Sequence, residues 1–166
     1  EIIRMLILLP HIPTHHTQKI LQFVLQYICG IPTVGKESDS EEQNSEFSQD
    51  EVISTLNRQM EQDFDESWNK IPIKKKKRVE IEHVTEAKKS GLFPVVFTGL
   101  YLILRSAIRQ KLRNVDFVDQ CTRLQVHEPV LQLLTQMYEK KKEQLIQVSK
   151  DRSSWFQTVI NVRWRI

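Results

Sequence analysis

Between Phe93 and Lys111, and just beyond, the apolar residues Val96, Phe97, Leu100, Leu104, Ala107, Ile108 and Leu112 recur at steps of three and four. That period belongs to one face of an α-helix, and a stripe this broad predicts a buried helix of about five turns. The same spacing returns at Ile20, Leu21, Val24, Leu25 and Ile28, between Pro13-Thr14 and a closing Gly30 and Pro32, and predicts a helix over 14–29. Asp116 can cap a short helix carrying Phe117, Cys121 and Leu124. Glu128-Pro129 then opens another, continued by Val130, Leu131, Leu134, Tyr138, Leu145 and Val148. Lys140, Lys141, Lys142 and Lys150 fall toward its C-terminal half, where cations complement the helix dipole. Four helical segments in a row predict a mainly α chain with a helical bundle. With 166 residues, 40% of them apolar, it can bury a core without disulfides or metal.

A change of composition interrupts the helices. From Glu37 to Glu66 there are eleven acids against one base, Arg58, so much of this stretch is expected to be solvated and mobile. Inside it, Ser48-x-x-Glu51 has the form of a capping box, and Val52, Ile53, Leu56 and Met60 give a narrow apolar stripe that predicts a short helix. The charge then reverses at Lys74, Lys75, Lys76, Lys77 and Arg78. From Val79 to Gly91 the pattern is ambiguous: Val79 and Ile81 alternate like a strand, whereas Glu86-Ala-Lys-Lys favours helix. The domains expected are therefore 1–30 with 79–150 as a helical domain, 31–78 as an acidic then basic insertion, and 151–166 as the start of something else.

The tail differs in kind. Ile160, Val162, Trp164 and Ile166 alternate with Val159, Asn161, Arg163 and Arg165, a period of two that predicts a β-strand. A lone strand leaves its backbone groups unpaired and one apolar face uncovered, so it calls for partner strands from further sequence or from another chain. Glu1 in place of Met, and an end inside an apolar stretch, point to a piece of a longer chain at both ends. Trp155 and Trp164 suit recognition, Trp164 with the composition of an interface hot spot, or else the core of an intact sheet.

Little in the sequence suits catalysis. No nucleophile elbow, metalloprotease helix, phosphate loop or dinucleotide glycine pattern occurs, and exposed mobile acids cannot be held in a productive geometry, so no enzyme is expected. His11, His15 and His16 invite a metal, but neighbouring positions 15 and 16 point to different helix faces and no carboxylate lies nearby in sequence. The expected reading is exposed histidines around a helix start, with no metal and no cofactor. Cys29 and Cys121 form no finger spacing; they read as small buried residues in a reduced intracellular compartment. The Lys74 to Arg78 run could serve as a nuclear-import address or touch phosphates, or be a solvated loop offset by the acids before it; without interleaved aromatics it does not read bases. Leu92 to Leu104 is too short to cross a bilayer and holds Pro94 and Gly99, so it reads as core. The acidic start with Pro10 and Pro13 does not fit a secretion signal.

Asn161-Val162-Arg163-Trp164-Arg165-Ile166 resembles the signature that opens the COMM domain, and Phe97 to Ile108, Phe117 to Leu124 and Val130 to Tyr138 have the order and lengths of that family's N-terminal helices. Arg4-Met5-Leu6 and Lys19 to Val24, closing with Gly30, are similar to one member in particular. The resemblance covers about 1–30 and 92–166. It implies a helical bundle followed by the first strand of an α+β COMM domain, whose further strands and final helix would follow Ile166. It also implies an adaptor without catalysis that pairs sheet to sheet with other COMM-domain proteins and joins coiled-coil subunits in one complex. That complex supports endosomal cargo recycling, and members are linked to restraint of NF-κB and to cullin ubiquitin ligases. A cytoplasmic, endosome-associated location follows, with a nuclear one if the basic run acts as an address. The pairing-face residues carried over are Val162, Trp164 and Ile166, with Arg163 and Arg165 beside them. The runner-up is a basic nuclear or nucleic-acid-associated helical protein acting through Lys74 to Arg78.

Overall fold

A computed structural model describes residues 2–29, 49–72 and 77–163, residues 151–163 as backbone. Every regular element among them is helical. The order is α1 (Ile2–Leu8), a 3-10 turn at Leu9–His11, α2 (Thr14–Cys29), α3 (Gln49–Asn69), α4 (Arg78–Ser90), α5 (Leu92–Gln110), α6 (Asn114–Arg123) and α7 (Glu128–Arg163). They divide into two compact units, Glu1–Leu100 and Tyr101–Ile166, and α5 runs from one into the other.

In the first unit the core is built from Met5, Leu8 and Leu9 at the start of the chain, Ile20, Leu21 and Val24 on α2, and Leu92, Phe93, Val96 and Leu100 on α5. The acidic stretch contributes as fully as any. Leu56, Met60, Phe64 and Trp68 on α3 are all buried, four residues apart, so they line one slowly winding seam while Asp50, Glu51, Asp65 and Glu66 remain at least partly in solvent. Residues 49–69 are thus a long helix seated in the core, because one residue in four suffices to seat a helix whose other faces are charged. Ser48, expected to cap it, lies outside the described residues, as do Gly30 and Pro32.

The ambiguous stretch after Arg78 is helix α4, which buries Val84 and Ala87; Val79 and Ile81, whose alternation suggested a strand, are exposed. Gly91 ends α4 at φ +83°, a backbone conformation that an L side chain rarely adopts. Directly after it, the N–H of Phe93 donates to Asn57 Oδ1 at 2.9 Å, so a side chain of α3 satisfies a free donor at the start of α5.

In the second unit, Ile103, Leu104, Ala107, Phe117, Cys121, Val130, Leu134 and Tyr138 form the core. Tyr138 stacks on Phe117 with ring centroids 4.3 Å apart, and its hydroxyl donates to the carbonyl of Leu112 at 3.0 Å. Helix α5 closes with Lys111 in the left-handed region at φ 52°, the N–H of Leu112 returning to Ala107 O and that of Lys111 to Ile108 O, which together satisfy its last carbonyls. Asp116 sits in the first turn of α6, not at its cap; Arg113 flanks the helix and holds the Asp116 carboxylate with two hydrogen bonds of 2.8 and 3.1 Å.

Only part of the expected strand lies within the described residues. Where a strand was predicted from Val159, the backbone of α7 continues as helix through Arg163. A helix closes its hydrogen bonds within the segment, whereas a strand needs a neighbour, and no strand exists among the described residues to supply one. Trp164, Arg165 and Ile166 lie outside those residues.

Candidate functional site

Among the described residues, a grouping of chemistry-bearing side chains lies in the first unit, where the 3-10 turn and the start of α2 face α3. Pro13 sets the entry to α2, its carbonyl accepting from the N–H groups of His16 and Thr17. His16 then lies buried at 2% exposure, with its Nε2 2.7 Å from Asp63 Oδ2. His15 is exposed, yet its ring lies 4.0 Å from that of His16. One turn further along α3, the His11 ring makes T-shaped contacts with Phe64 and Trp68, and its Nδ1 lies 3.3 Å from Ser67 Oγ. The histidines are therefore not three exposed side chains: His16 is buried, and the fold brings to it a carboxylate 47 positions away. Spacing along the chain could not show that. The one signal was that Asp63 precedes Phe64 of the buried seam.

Among the described residues, His15, His16 and Asp63 offer three ligand atoms all within 4.8 Å of one another, from side chains that are exposed, buried and half-buried in turn. His16 Nδ1 is buried with no hydrogen-bond partner. A cavity of about 480 Å³ in the second unit is lined by Asn114, Glu139, Lys140, Lys142 and Glu143. Its lysines and glutamates are balanced in charge.

Most of the sequence-predicted partner residues fall on the tail or the basic run. Val162 and Arg163 lie on the helical backbone of α7, and Trp164, Arg165 and Ile166 lie outside the described residues. Of the basic run, Lys74, Lys75 and Lys76 are outside as well. Lys77 and Arg78 begin α4, exposed and paired with Glu80 and Glu82 on the same helix. Cys121 is buried, and desolvation pushes its thiol up to about 11; Cys29 is only partly buried. Helix α5 is long and apolar enough to cross a membrane by length and composition, but 56% of it is buried inside the protein, as befits a core helix.

No protein-family model and no solved structure matches the chain. Over 76 residues it is 32% identical to COMM domain-containing protein 5 of Dictyostelium discoideum, a match covering 46% of this chain and 37% of that protein. The chain thus spans little more than a third of the length of this relative. That partial likeness supports the COMM-family resemblance read from the helices and the tail.

Proposed function

We propose that the protein is a non-catalytic adaptor subunit of COMM type, which pairs with other COMM-domain proteins in a complex that also holds coiled-coil subunits. The observation that carries this reading is the 32% identity over 76 residues to a COMM domain-containing protein. It agrees with the tail residues Asn161 to Ile166, which resemble the opening of the COMM domain. In this reading Val162, Trp164 and Ile166, flanked by Arg163 and Arg165, form the pairing face. The tail exchanges the hydrogen bonds of its own helix for those of a partner's sheet edge and buries its apolar residues in the same step, the logic of strand addition. The complex supports recycling of membrane cargo from endosomes and bears on NF-κB and cullin ubiquitin ligase regulation. It works in the cytoplasm at endosomes, and Lys74 to Arg78 give access to the nucleus.

Co-purification tests this. The protein should capture COMM-domain proteins, and Trp164→Asp should reduce capture by on the order of thirtyfold, the scale of an aromatic hot spot, while far-ultraviolet circular dichroism stays unchanged. Equal capture by Trp164→Asp would remove the pairing face. Failure of the unaltered protein to capture any COMM-domain protein would remove the family reading.

A further inference from the structure

We propose that His15, His16 and Asp63 form a binding site for a divalent first-row transition cation of the zinc class, bridging α2 and α3. The inference rests on side chains of the first unit and is independent of the pairing reading above.

The donor set comes first. Two imidazoles and a carboxylate are nitrogen and oxygen ligands of the kind zinc takes, and the single carboxylate offsets half of the charge of a divalent ion. Their ligand atoms lie within 4.8 Å of one another, although Asp63 is far from the histidines in sequence. A core hydrogen bond between His16 and Asp63 would need no third group, yet the His15 ring stands 4.0 Å from that of His16.

Burial is graded in a way that suits an ion. His16 is held at 2% exposure and supplies a fixed point, while the Asp63 side chain is 39% exposed and His15 is open to solvent. The ion therefore has a path in, and three protein ligands leave a fourth position for water. The adjustment required is small. His16 Nε2 and Asp63 Oδ2 are 2.7 Å apart. Neighbouring ligand atoms on a tetrahedral zinc ion sit roughly 3.3 Å apart, so the pair must open by about half an ångström. Asp63, being half exposed, is free to make that movement. His16 offers Nε2 to the ion in the tautomer that carries its ring proton on Nδ1, the buried nitrogen without a partner.

Calorimetric titration of the chelator-stripped protein with zinc chloride, paired with thermal melts, tests the site. The unaltered protein should bind one zinc ion and melt at a higher temperature with zinc than without, because the ion binds only the folded arrangement. His15→Ala removes an exposed ligand without touching the core and should weaken binding tenfold or more, as should Asp63→Asn; His127→Ala, in the other unit, should leave it unchanged. Should Asp63→Asn fail to fold, His15→Ala alone decides. The proposal is overturned if the unaltered protein takes up no zinc, if His15→Ala binds with unaltered affinity and stoichiometry, or if His127→Ala is the variant that loses it.

Discussion

Gly99 shows how one missing side chain sets the approach of two helices. A Cβ built there would lie 2.6 Å from Met5 Sδ and 2.7 Å from Met5 Cβ. Alanine is favoured over glycine inside a helix by about 1 kcal/mol, but Met5 Cβ is fixed to the backbone of α1 and cannot swing aside. Gly99→Ala should therefore lower stability by about 1–3 kcal/mol, the usual cost of overpacking, read as a lower urea midpoint. An unchanged or higher midpoint would show that α1 does not seat against this position. His16 makes the complementary point. Its identity was plain in the sequence, but its burial and its carboxylate partner depend on where α3 is placed.

Helix α3 is the element that most changes the picture. Its acids suggested a solvated insertion, and the apolar stripe was visible only as far as Met60. The seam runs on through Phe64 and Trp68, with which the His11 ring makes T-shaped contacts. If α3 is core, Phe64→Ala should cost about 3–5 kcal/mol in chemical denaturation, whereas Val52→Ala, at an exposed position, should change stability by less than about 0.5 kcal/mol. Similar small effects for both would return α3 to the role of a linker. Helices α2, α5 and the start of α7 were legible because their apolar faces are broad and their ends carry proline or glycine signals. Helix α4 was not, because its two exposed β-branched residues imitate a strand. The alternation of the tail has the same limit, since it specifies a strand only where a second strand is present to complete it.

At the scale of the whole molecule, two buried groups tie stability to alkaline pH. Desolvation raises the Cys121 thiol from an ordinary 9.0 to about 11, and it raises the Tyr138 phenol as well. Both groups are neutral when protonated, so above pH 9 for Cys121 and above pH 10 for Tyr138 the folded chain holds protons that the unfolded chain has released. The Cys121 contribution is complete below pH 9 and is lost as pH rises through about 11, and that of Tyr138 is lost only above its ordinary 10.0. Urea midpoints should fall across that window, and Cys121→Ala should flatten the first part of the fall; a fall of equal depth in the variant would assign it elsewhere. The amino-acid sequence by itself determined that this is a helical chain, where its broadest helices lie and that it carries none of the common catalytic motifs, because helical period and end signals are local. Tertiary structure alone decided that α3 belongs to the core and that Asp63 reaches His16. Burial, ligand convergence and strand pairing each depend on a neighbour that spacing along the chain cannot reveal.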